Sequence, residues 1–517
     1  MNRTYTLLHS FLVAAPLLAQ PGTLDPSFGT AGIKVLQPGA FHDVIHDVIA
    51  LDDTTSLICG VAQNAGLNAL FIGHLLQDGS LDPAFGTSSG YTFVNVGQEA
   101  YGYAMALADD GSIYATGLAY PTFAQSVVIL AHFSSSGVPD ASFGTGGVVQ
   151  TSIGTLDSEA KGMVVQDDGK IVVGGSVVSD VTFARDILFV RYNADGSLDT
   201  SFNGDGIAVA SAYSSEDLLN DIAILADGSI VGAGYADITG FMKTVLARVD
   251  ASGTFVSAFG GDGVLVPGFS VAQDRAFGIL ADGQQFLVTG SFMDDPNNDD
   301  TYLARFNSDG TLDAGFGTAG IWIIDSDNFE VGLDACRQPN GAYVVAGTSG
   351  TPGFGTPRDF LVARCSASGA PDASFGTNGV VVTSIQADFD DANAVTVQPD
   401  GKILAAGFTS GFSIGSDNDA AVVRYIGDNA NVIGEQSGPF VELGLAPNPA
   451  TGPYLQMSGT DTALPLVRFF DASGRSVLSA RADASGRIDI GGLKAGTYRV
   501  HCTDGARTRT TTVVIVR

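Results

Sequence analysis

The sequence predicts an all-β chain: a seven-bladed β-propeller of four strands per repeat of about 58 residues, then a small antiparallel β-sandwich. Three observations carry this expectation. The stretch DASFGTGGVVQTSI at 140–153 returns as DASFGTNGVVVTSI at 372–385, and looser copies bring the total to seven. The Phe of each copy (Phe28, Phe85, Phe143, Phe202, Phe259, Phe316 and Phe375) follows the previous one after 57, 58, 59, 57, 57 and 59 residues. Between them stand short apolar runs punctuated by Asp-Gly or Asn-Gly, which accept the positive φ angles of tight hairpins, and helical periodicity is essentially absent.

The chain begins with a segment that is not fold. Arg3 gives residues 1–19 a short cationic start, Leu7 to Ala19 is mostly apolar, and Leu17-Leu18-Ala19 fits a small-residue cleavage site. This reads as a signal peptide cut after Ala19, too short in its apolar part to span a bilayer well. No later segment reaches membrane-spanning length, so the mature protein reads as exported, and either soluble or surface-attached.

Residues 20–426 hold the repeats. Strand one follows the Phe-Gly turn, as in Gly147-Val-Val-Gln, and strand two runs into the Asp-Gly turn, as in Ala394-Val-Thr-Val-Gln. Strand three is expected to end at a Gly found 31 or 32 residues after every Phe (Gly60, Gly117, Gly175, Gly234, Gly290, Gly347 and Gly407). Strand four, such as Ile187-Leu-Phe-Val-Arg-Tyr, leads through a second turn to the next Phe. An open solenoid is the rival, but it needs polar capping repeats, and the first and last units here are ordinary. The ends also complement each other. The last unit stops after Ala421-Val-Val-Arg-Tyr, and the chain opens with the Leu24-Asp-Pro-Ser-Phe-Gly that it lacks, so residues 24–33 are expected to complete the last sheet.

Gly427 to Phe440 is polar and reads as a linker; residues 441–517 alternate apolar positions between Gly turns, as a small β-sandwich does.

Acids outnumber Lys plus Arg by 55 to 24, a formal charge of −31, so phosphate is repelled and nucleic acid is not an expected partner. Cys59, Cys336, Cys365 and Cys502 show no metal-ligand spacing and read as small buried residues, with a Cys336–Cys365 bridge as the alternative.

Two recurrent charged positions invite a functional reading. Acids precede strand two in every unit (Asp43, Glu99, Asp157, Asp217, Asp274, Glu330 and Asp390), either a ring of cation ligands or loop caps. A basic residue ends strand four in every unit (His74, His132, Arg191, Arg248, Arg305, Arg364 and Arg424). An Asp stands three residues before six of the seven Phe anchors, Val256 replacing it in the fifth, so charge-assisted bonds in the scaffold are expected. Asp294, Asp295, Asp299 and Asp300, in an insertion of one unit, are the best candidates for a metal, with Ca²⁺ the cation that oxygen ligands suit. Asp325-Ser-Asp327-Asn328 and Asp417-Asn-Asp419 are weaker candidates, and none of the three has the glycine and terminal Glu of a helix–loop–helix calcium site. Gly411-Phe-Ser413-Ile-Gly415 matches the letters of a nucleophile elbow but lacks the strand-to-helix context. No cofactor fingerprint is present.

The segments Asp195 to Phe202 and Gln398 to Ile403, with the Arg-Tyr strand ends, resemble the delta-sixty repeat of secreted bacterial propeller-like proteins over roughly residues 21–426. That resemblance implies a fold and an exported setting, and no reaction. Pro447, Asn448, Pro449, Asp471, Gly474, Arg475, Leu493, Gly496 and Tyr498, with the basic-ended Thr512-Val-Val-Ile-Val-Arg, resemble the C-terminal sorting domain of the type IX secretion system. It implies periplasmic transit, recognition of the folded tail by the secretion machinery, and arrival at the cell surface of a Gram-negative bacterium or release from it. The expected function is a surface-displayed or released binding or scaffold module for a glycan or protein ligand. The alternative is an extracellular glycan lyase or hydrolase, which needs non-repeated acids or His converging at one mouth of the propeller.

Overall fold

The computed structural model describes residues 20–212, 216–270, 272–295, 298–325, 328–351, 356–386, 388–410, 417–428, 444–446, 454–458, 466–470, 476–481, 487–494, 496–504 and 507–515. Within these, every regular element is a β-strand, and no helix is long and apolar enough to cross a membrane. The chain divides into two compact units, Met1–Asn431 and Val432–Arg517.

The first unit is a β-propeller of four-stranded antiparallel sheets. Five sheets stand alone, and an eight-stranded path joins two more four-stranded sets through one parallel pair, Arg358 with Phe389. The innermost strands, Val44–Ala50, Glu99–Leu107, Ser158–Val165, Asp217–Ile224, Asp274–Asp282, Phe329–Arg337 and Phe389–Val397, touch in sequence, and the last touches the first.

Sheets and sequence repeats are offset. Strand one of each repeat is the outer strand of the preceding sheet; Val148–Thr151, for example, pairs with Gln125–Phe133. That offset creates the closure. Ile33–Leu36 pairs with Asn418–Tyr425, Ile33 opposite Val423 and Leu36 opposite Ala420. Upstream, Leu24 bridges Tyr425, and the Arg424 guanidinium donates to Asp25 at 2.9 Å.

The core lies in layers between neighbouring sheets. Phe28, Ile58 and Phe71 pack with Leu404 and Val422 across the closure, and Val172 and Phe189 pack with Leu219 and Ile230 further round. All seven anchor Phe side chains are buried, each contributing roughly 1.5–3 kcal/mol. The turn of the following repeat covers the ring, and it does so with glycine. A Cβ on Gly196 (φ +83°) would stand 2.8 Å from the Phe143 ring.

Two expectations need correction. The Gly of strand three does not end it, since Gly60 is central in Ser56–Asn64 and Gly407 in Ile403–Ser410. Cys59, Cys336 and Cys365 are free thiols, so the Cys336–Cys365 bridge does not form. At the start of the expected linker, Asp428 pairs with Arg364 at 3.1 Å and accepts from Asn340 at 2.5 Å; residues 429–440 lie outside the described residues.

The second unit has two antiparallel sheets, one of three strands (Gly444–Ala446, Tyr454–Ser458, Arg487–Asp489) and one of four (Leu466–Phe470, Ser476–Arg481, Gly496–Asp504, Arg507–Ile515). Leu455, Val467, Phe469, Ile488, Leu493, Tyr498 and Val500 form its apolar cluster.

Candidate functional site

The glycine of strand three shapes the inside of the ring. Opposite it, every innermost strand slips register by one residue, as between Ala160 and Gly162. The bulge drives a carbonyl against the partner strand: a Cβ on Gly175 would lie 2.1 Å from the Glu159 oxygen, and one on Gly347 1.8 Å from that of Val331. Only glycine fits, and the extra residue turns away from the ladder. The seven bulged residues are His46, Tyr103, Lys161, Asn220, Phe277, Leu333 and Asn393. All are half-buried, and only Asn recurs among them.

Some of them bind neighbouring sheets together. Asn220 donates to the Ala276 carbonyl and Asn393 to that of Ile45, both at 2.8 Å. His46 meets Tyr103 edge-on at 5.1 Å. Burial, then the Lys161 charge, pushes the His46 imidazole down to about 4, so it is neutral at physiological pH. Next to three bulges stand Asp47, Asp221 and Asp334, accepting the Met105, Ile279 and Val395 amides of the following sheet at 2.7, 3.0 and 2.8 Å. Burial raises all three carboxyls, Asp47 to about 7 and Asp334 to about 6, and mutual repulsion adds to the rise at Asp47 and Asp221.

Beside this wall, between the second and third sheets, lies a pocket of about 360 Å³. Glu99, Tyr101, Tyr103, Leu118, Tyr120, Phe123 and Glu159 line it. Asn68 donates to the Tyr101 hydroxyl at 2.8 Å, and that hydroxyl donates to Glu99 at 2.7 Å. Burial, then the Glu99 hydrogen bond, pushes the Tyr101 phenol up to about 12. Arg185 and the Ser176 hydroxyl both donate to Glu159 at 3.1 Å. Rigid aromatic faces beside acceptors that are already oriented suit a small, hydroxyl-bearing ligand.

The recurrent acids do not form a ring of ligands. Asp43, Asp217, Asp274 and Asp390 are buried and accept loop amides from Gly39, Ala212, Ser270 and Ile385 at 3.1, 2.7, 3.3 and 2.6 Å. Asp157 caps the Ser126 amide at 2.7 Å, and Glu330 accepts the Ser349 hydroxyl at 3.3 Å. Glu99 alone among them lines the pocket. It stands four residues before its bulged residue, as Asp157 does, while the five buried acids stand three before theirs.

The basic column is scaffold. Arg191 meets Asp199, Arg305 Asp313, Arg364 Asp372 and Arg424 Asp25, at 2.8, 2.8, 2.7 and 2.9 Å, and His74 and His132 take Asp82 and Asp140 at 3.1 Å. Four of the guanidinium groups cover the anchor ring, as Arg191 covers Phe202 at 4.6 Å. In the fifth repeat, where Val256 replaces the Asp, Arg248 takes Asp227 at 2.7 Å instead.

Of the candidate metal ligands, Asp299 pairs with Arg275 at 3.1 Å, while Asp300 comes together with Asp325 and Glu330, their oxygens within 4.8 Å of one another. Asp299 and Asp300 therefore face different partners. The side chains of Asp294 and Asp295 lie outside the described part of the structure, as do Ser413, Pro447, Asn448, Pro449, Asp471, Gly474 and Arg475. Asp419 accepts from Gln37 at 3.0 Å. Leu493 and Tyr498 are buried in the tail cluster, and Gly496 opens a strand.

Comparison with known proteins bears on both units. The model of the domain of unknown function DUF5122 β-propeller matches residues 166–202, 281–316, 338–375 and 398–426, and that of the secretion system C-terminal sorting domain matches 445–516. The chain thus carries DUF5122 propeller repeats and a type IX sorting tail, which points to secretion or the cell surface. No curated protein matches. Drosophila Semaphorin 2a is similar at 7% identity and a TM-score of 0.43, over 96% of this chain and 98% of that one. The propeller domain of the Trilobed protease from Pyrococcus furiosus gives 9% and 0.37, over 75% and 95%, and Pyrococcus horikoshii acylaminoacyl peptidase 10% and 0.39, over 81% and 58%.

Proposed function

We propose that this chain, built of propeller repeats and a secretion sorting tail, is an exported binding module that takes a glycan in the tyrosine pocket between its second and third sheets. In this reading residues 1–19 are a signal peptide, 20–426 a seven-bladed propeller closed by Ile33–Leu36, and 427–440 a linker. Residues 441–517 are then a β-sandwich that the type IX machinery recognises. The observation that carries the proposal is the pocket itself. It gathers Tyr101, Tyr103, Tyr120 and Phe123 with Glu99 and Glu159 at one place in the propeller. Loops and edges on a rigid frame are where binding residues concentrate.

Two carboxylates in one pocket also favour a second reading, a glycan hydrolase or lyase. Arg185 and the Ser176 hydroxyl hold Glu159 in place as an oriented acceptor, which supports binding. A glycan array probed with the mature chain, with and without Ca²⁺, tests the proposal. Retention of a defined glycan class supports it, and an empty array counts against it. Release of reducing ends from the retained class assigns the enzyme reading, and a Ca²⁺ requirement implicates Asp300, Asp325 and Glu330.

A further inference from the structure

We propose that the tyrosine pocket is one end of a longer track for a neutral polysaccharide chain, continued over the hairpin tips that carry Phe123 and Phe183; this rests on reading the pocket as the ligand site. Both rings are displayed to solvent, Phe123 at 75% and Phe183 at 74% exposure, on a fold that buries its seven anchor Phe side chains. Phe123 belongs to the pocket wall as well.

Phe183 is held against its own preference. Its φ of +59° is the left-handed region, which a bulky side chain enters at a cost. The loop is built to keep it there. The Phe183 amide donates to the Ser179 carbonyl at 2.9 Å and the Ser179 amide to that of Ala184 at 2.8 Å. The Ser179 hydroxyl accepts the Val181 and Thr182 amides, both at 3.3 Å. A glycine here would relax the backbone, so the strained phenylalanine marks a use for the ring.

The two tips are parts of one surface. Segment 154–157 lies clamped between them. On one side Gln125 donates to the Leu156 carbonyl at 2.8 Å and the Ser126 amide to Asp157 at 2.7 Å. On the other, the Thr155 hydroxyl donates to Asp180 at 2.6 Å.

Chemistry selects the occupant. Flat rings that lose little entropy on binding suit the apolar faces of sugar rings. Glu99 and Glu159 are already engaged by the Tyr101 hydroxyl and by Arg185, so they orient sugar hydroxyls better than they capture a free cation. A formal charge of −31 turns polyanions away.

The test is titration of the mature chain with gluco-, manno- and xylo-oligosaccharides from about two to about six rings, with polygalacturonate and polylysine alongside. For at least one neutral series, affinity should rise about tenfold with length, the gain expected of one additional aromatic contact. Phe183→Ala should flatten that rise and Phe183→Tyr should keep it. Phe183→Gly should flatten it while raising the melting temperature, which separates loss of the ring from loss of the fold. Binding that is independent of chain length, or a rise that survives Phe183→Ala, overturns the track; if Tyr120→Ala still removes disaccharide binding, the pocket stands as the site. Binding of polygalacturonate or polylysine alone overturns the ligand class. No binding of any probe overturns both readings.

Discussion

Arg424→Ala should open the seam of the ring, because one guanidinium there joins the two ends of the propeller. Its side chain is 1% exposed and that of Asp25 5%, and its Nε donates to Asp25 at 2.9 Å. Its other nitrogens donate to the Gln77 carbonyl at 2.7 Å and the Ser27 hydroxyl at 3.0 Å, and it covers Phe28 at 4.6 Å. Removing one member of a buried pair costs about 3–5 kcal/mol, and the lost cover on the ring adds about 0.5–1 kcal/mol. Unfolding entropy of roughly 2.1 cal/mol/K per residue over about 400 residues then converts a loss near 4 kcal/mol into a melting shift of about 5 °C. The shift should depend on pH. Burial alone would raise the Asp25 carboxyl, but the Ser27 hydroxyl and amide and the Arg424 charge hold it below the usual range. A depressed acid stabilises the fold above its unfolded pKa of about 3.9, and that contribution is lost as pH falls through the folded value. In Arg424→Ala the orphaned carboxylate can protonate, so the gap should shrink on acidification. Thermal or denaturant melts of both proteins at pH 7 and near pH 4 measure it. An unchanged midpoint at neutral pH, or a gap that widens in acid, refutes the reasoning.

Asp47→Asn keeps an acceptor for the Met105 amide and removes a charge. The native carboxyl, raised to about 7, costs stability as pH rises from roughly 4 to 7, so the variant should melt higher than wild type at pH 8, by about 1–3 kcal/mol in stability, and no differently near pH 4. Gly347→Ala places a Cβ 1.8 Å from the Val331 oxygen and should cost at least about 3 kcal/mol or prevent folding, read from soluble yield and melts. Deleting residues 441–517 should leave the propeller folded and held in the periplasm, seen by fractionation and limited proteolysis; normal surface display of the shortened chain would contradict the tail's role as an address.

The scaffold was legible in the sequence because each sheet needs the same parts. Phe143, Asp140 and His132 recur as a set for the reason that they touch. The closure was legible because Leu24-Asp25 supplies the segment missing after Tyr425. The bulge was not, since a slip of register is a property of two paired backbones, although the glycine opposite it was visible as a fixed point without a reason. The pocket escaped notice for a related cause. Glu99-Ala-Tyr-Gly-Tyr is an unusual innermost strand among the seven, but only the fold sets it against Glu159 of the next sheet. Asp47, Asp221 and Asp334 were invisible because they occupy one position in three repeats, where Ala104, Gly162, Gly278 and Ala394 stand in the others.

Calorimetric titration of the glycan selected on the array, against wild type and against a Tyr101→Ala, Tyr120→Ala double variant, tests the pocket as the binding site most directly. The account predicts a loss of affinity of at least about tenfold in a variant whose melting temperature stays close to that of wild type. Undiminished binding by the folded double variant would contradict it.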